Sequence, residues 1–293
     1  MTKKILSIIV LTTFVLTLGA QTAKKSFNVT GFNGINAGGV FNIELIKSNK
    51  EAVAIEAETQ MLEYINVEVS KDGVLLLSLD RFTPSKLQRN MKPILVTVHI
   101  KELASLNLSG ASRLITDSQF SIKDFSANLS GASKISGLNI DAVNSKIVLS
   151  GASVFSITGN VTNAYYDITG AAKVDINQSC KNLKMEGSGA AKINFDGDAK
   201  QTIISFSGAV HSVFKGSGSD SCNLEMSGAS NFNSLNFPVK DMVIKLSGVS
   251  NAKINVTDLI SVGASGGSNI MYKGNPQIKN LDISSVSSFS KIN

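Results

Sequence analysis

The sequence has few of the residues on which most enzymatic chemistry depends. Among its 293 residues there are only two cysteines and two histidines, and there is no tryptophan. Aromatic residues make up 6% of the chain. Neither His99 nor His211 has a cysteine or acidic neighbour at the spacing of a metal site, so no metal or other cofactor is predicted. The shortage of aromatic rings also argues against the stacking platforms with which enzymes hold sugars.

Charged residues are sparse as well, at 17% of the chain, and the formal net charge is +6. Lysine and arginine are scattered along the sequence, whereas nucleic-acid-binding proteins usually concentrate them on one face beside aromatic residues. No nucleic-acid partner is therefore expected. The clearest basic cluster, in a segment broken by prolines, comprises Arg81, Lys86, Arg89 and Lys92. A solvated loop is the favoured interpretation of this cluster, and an anion-binding interaction surface is the alternative.

A long apolar run occurs only at the start of the chain. Two lysines are followed by an uncharged apolar stretch at residues 5–18 and by the small residues Gly19 and Ala20. This order is typical of a secretory signal peptide, which we place at residues 1–20. The stretch is shorter than the roughly 20 residues that span a bilayer, so no transmembrane segment is predicted. We expect a bacterial protein exported to the periplasm, the outer surface or the extracellular medium.

A Ser-Gly-Ala-Ser motif repeats through most of the chain. Aligned on its central glycine, the motif recurs at spacings of 18 to 21 residues. The aligned glycines are Gly110, Gly131, Gly151, Gly170, Gly189, Gly208, Gly228, Gly248 and Gly266, and a degenerate last copy has Ser285. Such a period is the signature of a repeat protein in which each repeat is one structural unit.

Within each repeat, apolar and polar residues alternate, as in a strand with one buried face. The positions four before, two before and four after the glycine are mostly apolar, whereas the position three before it is mostly polar and must face water. A glycine among small residues between two such strands indicates a corner. One coil of about 19–20 residues per repeat therefore predicts an all-β protein, built as a single-stranded parallel β-helix.

The first part of the chain is less regular but still strand-like. Asp72 and Gly73 form a tight-turn signal between two alternating segments. A solenoid needs an atypical first section to cover the open end of its core. We therefore assign residues 21–104 to an N-terminal β cap with opening coils and residues 105–293 to regular coils. Propeller blades are excluded because they need about 40 residues per repeat.

Two columns of hydroxyl residues are the candidate interaction surface. The position just before the glycine holds Ser109, Ser130, Ser150, Thr169, Ser188, Ser207, Ser227, Ser247, Ser265 and Ser284. The position two after it holds Ser112, Ser133, Ser153, Ser230, Ser250, Ser268 and Ser287. Both columns are expected to face outward. Because serine beside a turn glycine usually bonds local backbone, a structural ladder is favoured over a ligand-binding stripe.

No other site is predicted. Cys180 and Cys222 fall two coils apart, about 9.6 Å along the axis, whereas a disulfide needs Cα atoms within roughly 7 Å. Two buried free thiols are therefore expected. Asp196 and Asp198 flank a glycine, which more often marks a turn than a calcium site. No column holds acidic residues in adjacent coils with a basic residue at a constant offset, as a polysaccharide-cleaving β-helix would require, so no catalytic residue is assigned.

Three segments near the start of the chain resemble a known family. They are FNGIN at residues 32–36, FNIEL at residues 41–45 and DGVL at residues 72–75. Together with the glycine-serine repeats after Ser105, they resemble the family described as putative auto-transporter adhesin, head GIN domain. The resemblance implies a right-handed, pectin-lyase-like β-helix without catalytic residues, exported by bacteria and with a role in adhesion. It supplies no binding residues.

Three functional hypotheses follow. The first is a non-enzymatic interaction protein of the cell surface or periplasm, whose partner is an envelope or extracellular protein or polysaccharide. The second is a carbohydrate-active or polysaccharide-binding β-helix. The third is an ordered array of hydroxyl groups on a flat face, bound to a regular lattice such as ice or a crystalline glycan.

Overall fold

The computed structural model describes residues 22–89, 91–284 and 286–292. The proposed signal peptide lies outside these residues. The protein is 70% strand and 3% helix, and it winds into a β-solenoid of about 10 turns with about 19 residues per turn. The predicted all-β parallel β-helix is therefore confirmed. Within the described ranges, no helix is both long and apolar enough to cross a membrane.

The regular coils consist of thirteen strands. They are β8 (Ser105–Gly110), β9 (Arg113–Ile115), β10 (Gln119–Leu129), β11 (Lys134–Leu149), β12 (Val154–Ile168), β13 (Lys173–Gly187), β14 (Lys192–Phe206), β15 (His211–Met226), β16 (Asn231–Leu246), β17 (Asn251–Ala264), β18 (Asn269–Lys273), β19 (Gln277–Ile283) and β20 (Ser288–Lys291). Successive coils pair in parallel register, so each repeat position forms a column along the solenoid. The distance between paired strands sets the rise at about 4.8 Å per coil.

The N-terminal part contains strands that the chain visits out of spatial order. They are β1 (Thr22–Phe27), β2 (Gly34–Gly39), β3 (Phe41–Lys47), β4 (Ala52–Glu58), β5 (Ile65–Val69), β6 (Val74–Leu79) and β7 (Ile94–Ile100), with a 3-10 helix at Leu62–Tyr64 and helix α1 at Ser85–Arg89. The coil formed by β2 and β3 pairs with β8 and β9 on one side and with β6 and β7 on the other. Antiparallel strands β5, β4 and β1 continue the sheets beyond β6 and β7. The division of the chain at residue 104 stays a prediction.

Apolar columns fill the interior of the solenoid. At the position four before the corner glycine, Ile147, Tyr166 and Met185 occupy successive coils and are each 0% exposed. The predicted alternation thus places the core correctly in these coils. Leu281 belongs to the same column but is 50% exposed, because β19 pairs with β17 on one side and no described strand pairs with its other side.

Each corner depends on the central glycine of its repeat. Gly151 has a φ of +68°, which favours glycine, and a Cβ added there would lie 2.6 Å from the carbonyl oxygen of Gly131 in the preceding coil. The backbone N–H of Ala152 donates a hydrogen bond to the same oxygen at 2.8 Å. Corner glycines therefore stack directly on one another, and both the backbone conformation and the close approach require them.

The two cysteines are buried free thiols, as predicted. Burial raises the pKa of both Cys180 and Cys222 to about 12. Because the thiolate is the reactive form, iodoacetamide at pH 8 is expected to label neither thiol in the folded protein and both after unfolding in urea. Mass spectrometry of the intact chain counts the adducts. Rapid labelling of the folded protein, or a disulfide-bonded form, would contradict this prediction.

Candidate functional site

A groove of about 840 Å³ runs along the outside of the solenoid, next to the corners. Two outward columns of the repeat line it, one just before the corner glycine and one three residues before. Its hydroxyl lining comes mainly from Ser188, Ser205, Ser207, Ser227 and Ser247. Its charged lining is Asp167, Glu186, Glu225, Lys245 and Asp282. We call it the serine groove; with four acidic residues and one basic residue, its charged lining is mostly negative.

The structure divides the predicted hydroxyl column into two parts. Six of its members line the serine groove: Ser188, Ser207, Ser227, Ser247, Ser265 and Ser284. The column continues toward the N-terminal end, outside the groove lining, through Ser109, Ser130, Ser150 and Thr169. All of these side chains are half-buried or exposed. Because part of the column lies in a concave groove, the hypothesis of a flat lattice-binding face is disfavoured.

The hydroxyl groups of this column differ in their hydrogen bonds. The Thr169 hydroxyl donates to the carbonyl oxygen of Leu149 in the preceding coil at 3.1 Å. Ser150 and Ser247 make the equivalent contact at 3.3 and 3.4 Å. In the described part of the chain, five members have no hydrogen-bond partner for the hydroxyl group: Ser109 and Ser130 outside the groove, and Ser188, Ser207 and Ser227 in adjacent coils within it. Their hydroxyl groups are free to bind a ligand.

The second serine column faces inward, so the prediction that it is exposed was wrong. Its members Ser112, Ser133, Ser153, Ser230 and Ser250 are 0% exposed. The alternation of the strand explains this, because the positions two before and four after the glycine also lie inside. The buried Ser250 hydroxyl donates to the carbonyl oxygen of Ser247 at 2.9 Å, within the same corner. These five serines of the second column therefore belong to the interior of the solenoid and are not accessible to a ligand.

The charged side of the groove carries an acidic pair. Asp167 and Glu186 are register partners in adjacent coils, and the position two residues earlier holds Tyr165 in one coil and Lys184 in the next. The Glu186 carboxylate lies 2.9 Å from Lys184 Nζ and accepts a hydrogen bond from the Tyr165 hydroxyl at 2.9 Å. These two contacts lower the pKa of Glu186, and the second raises the pKa of Tyr165 to about 12. Glu186 is thus held in its ionised form, whereas a general acid needs a raised pKa.

Comparison with known proteins assigns this architecture to a family. Residues 31–213 and 175–276 match the family model described as putative auto-transporter adhesin, head GIN domain. The chain belongs to this family. The resemblance inferred from the FNGIN, FNIEL and DGVL segments is therefore confirmed. No curated protein matches the sequence.

Solved structures share the fold of this head GIN domain protein. A putative adhesin from Parabacteroides merdae matches with a TM-score of 0.55 and 16% identity, over 93% of this chain and 97% of that one. A putative adhesin from Parabacteroides distasonis matches with a TM-score of 0.50 and 18% identity, over 93% and 98%. A protein of the same organism described as a putative lipid binding protein also matches, with a TM-score of 0.50 and 16% identity, over 93% and 97%.

None of the residues of the predicted basic cluster lines the serine groove. Its four side chains are exposed in the segment between β6 and β7, which contains α1: Arg81, Lys86, Arg89 and Lys92. Lys92 Nζ lies 3.4 Å from the Glu58 carboxylate, and the Arg81 guanidinium lies 4.6 Å from the centroid of the Phe82 ring. These contacts agree with a solvated loop, and the role of the cluster as an interaction surface stays a prediction.

The fold also brings together a column of basic residues that is not among the predicted sites. The position three residues after the corner glycine faces outward. Through the register of successive coils, this position holds Arg113, Lys134, Val154, Lys173 and Lys192 in that order. Four of these five residues are cations. All four cations are exposed. The expectation that lysine and arginine are scattered is therefore wrong for these four residues, which form one column in the folded chain. Comparing the same position in successive repeats would have found this column, which we call the basic column.

Proposed function

We propose that this protein is an exported, non-enzymatic adhesion protein that binds an extracellular or envelope ligand in the serine groove. The three free hydroxyl groups of Ser188, Ser207 and Ser227 carry the proposal. They recur about every 4.8 Å beside carboxylates, which suits an extended ligand with repeating polar groups. Membership of an adhesin family, and the shared fold with proteins described as putative adhesins, support an adhesive role.

A non-enzymatic function is supported by the state of the carboxyl groups. Among the described residues, three carboxyl groups that accept hydrogen bonds have a lowered pKa: Asp141, Glu186 and Asp220. Cleavage of a glycosidic bond by a carboxylic acid requires a raised pKa on one member of a pair. Incubation with a panel of neutral and acidic polysaccharides is expected to release no reducing or unsaturated ends. Release of either product would contradict the proposal.

Replacing Ser188, Ser207 and Ser227 together with alanine is expected to reduce attachment at least tenfold. A net hydrogen bond contributes about 0.5–1.5 kcal/mol, so three of them exceed the roughly 1.4 kcal/mol that corresponds to a factor of ten. Beads coated with the protein would be tested for attachment to immobilised mucin, collagen, cellulose and chitin. Absence of attachment of the unaltered protein to the entire panel would count against an adhesive role.

The matched control replaces Ser109, Ser130 and Ser150 with alanine. These residues belong to the same column but lie outside the groove lining. The control variant is expected to attach like the unaltered protein, and both variants should keep their melting temperature, because the substituted side chains lie on the surface. Equal attachment by the two variants would exclude the serine groove as the binding surface.

A further inference from the structure

The basic column carries positive charge that the folded protein does not neutralise. In the described part of the chain, none of its four cations lies within 4.0 Å of a carboxylate. The lysines that do form ion pairs all lie elsewhere: Lys92, Lys101, Lys184, Lys240 and Lys245. The column extends over four coil steps from Arg113 to Lys192, which is about 19 Å. It is a single file of four exposed cations, interrupted once by Val154.

The surroundings of the basic column leave it accessible. On the corner side it is bordered by exposed small residues, Ala132, Ala152, Ala171 and Ala190. On the other side, the outward position two residues further along holds Ile115, Ser136, Ser156, Asp175 and Asn194. The one acid there, Asp175, accepts a hydrogen bond from Asn194 Nδ2 at 2.7 Å.

Acidic residues approach the column at its N-terminal end. A groove of about 550 Å³ is lined there by Arg113 and Lys134 together with Glu44 and Glu56. Lys173 and Lys192 lie outside this groove, and in the described ranges neither Arg113 nor Lys134 forms an ion pair with its acidic residues. His211 occupies the next place after Lys192, and the column then continues with Asn231.

We infer that the basic column is a second binding surface, and that its ligand is a linear acidic polysaccharide with one carboxylate on each sugar ring. Such a chain presents negative charge at regular intervals along a line, and the sugar rings can rest on the strip of small residues beside the cations. The inference goes beyond the serine groove, because the two surfaces lie on opposite sides of the corner glycines and share no residue.

Other extended anions fit this surface less well. In an extended acidic peptide, the side chains of one face recur about every 6.6–7 Å, which is longer than the coil rise of about 4.8 Å. Single-stranded nucleic acid is usually held by stacking its bases on aromatic side chains. In the described coils between residues 110 and 196, the outward positions one, three and five after the glycine hold no aromatic residue. An anionic membrane offers a broad plane of charge, whereas this column is one residue wide.

The test uses fluorescently labelled polygalacturonate and the purified protein. We expect binding that weakens as salt is raised, because the contacts are exposed ion pairs. The triple variant Lys134→Gln, Lys173→Gln and Lys192→Gln is expected to lose at least tenfold in affinity. Neutral dextran should not bind to either protein. The serine variants described above should bind polygalacturonate unchanged, which separates a failure of this inference from a failure of the serine groove.

The matched control removes the same number of charges from another face, with Lys123→Gln, Lys181→Gln and Lys200→Gln. These exposed lysines each lie eight residues before a corner glycine. In the two coils between Lys123 and Lys181, this position holds Val143 and Thr162 instead of a lysine. The control is expected to lose less than twofold in affinity. Equal losses in the two variants, or no binding of polygalacturonate to the unaltered protein, would overturn the inference. If a single-stranded oligonucleotide or phosphatidylserine vesicles bound more tightly than polygalacturonate and lost affinity in the basic-column variant, that result would also overturn the inference. It would assign the surface to nucleic acid or to an anionic membrane.

Discussion

Replacing Gly151 with alanine is expected to destabilise the solenoid by roughly 3 kcal/mol or more. The φ of +68° costs a residue with a side chain about 1–2 kcal/mol. The added Cβ would also lie 2.6 Å from the carbonyl oxygen of Gly131. Gly131 stacks in the same way on Gly110, so the corner cannot shift without moving the neighbouring coils. The midpoint of urea unfolding, compared with that of the unaltered protein, measures the effect.

The control for this prediction is Gly267→Ala. Gly267 has no positive φ, and a Cβ added there would lie 4.0 Å from the carbonyl oxygen of Gly248. Earlier repeats carry alanine or valine at the same position. We expect this variant to be neutral or to gain up to about 1 kcal/mol, because alanine restricts the unfolded chain. If Gly151→Ala unfolded at the same urea concentration as Gly267→Ala, the proposed stacking of corner glycines would be refuted.

Replacing Phe214 with alanine is expected to cost about 3–5 kcal/mol. Phe214 lies at the centre of an aromatic cluster, with ring centroids 5.1 Å from Phe195, 5.1 Å from Phe232 and 5.7 Å from Phe237. Its side chain is 1% exposed, so truncation leaves a cavity that the surrounding coils can fill only in part. Urea unfolding measures the loss, and hydrogen exchange locates it.

Hydrogen exchange should accelerate most in β14, β15 and β16, because each coil of a solenoid contacts only its neighbours. The matched control is Phe82→Ala, since Phe82 is 72% exposed and contacts Arg81 through its ring face. That variant is expected to change stability by less than about 0.5 kcal/mol. Exchange that accelerated uniformly along the chain, or equal losses in the two variants, would contradict the local packing described here.

The two proposed binding surfaces depend on the same corners. The serine groove lies before the corner glycines and the basic column lies after them, so the stacking of glycines sets the spacing of both. Outward residues contribute little to the core, and substitutions among them should alter binding with little change in stability. This explains how one coil geometry can present an acidic groove and a basic column on adjacent faces.

Repeat spacing and alternation were sufficient to predict the fold. The glycine period indicated one coil per repeat, and the apolar positions before the glycine correctly identified core residues such as Ile147 and Met185. The inward position of Ser133 and Ser153 follows from the same alternation, whereas their polar character favours an outward position. Alternation was the better guide, because successive side chains of a strand point to opposite faces whatever their polarity.

The sequence by itself determined the coil, its corners and which side of each strand faces the core, because these depend on residues close together in the chain. Only the tertiary structure decided which residues pair where successive coils differ in length, as with Pro238 beside Asn255. It also decided that β6 and β7 stack before β2 and β3. These features depend on the register between segments a full coil or more apart, and local alternation does not specify that register.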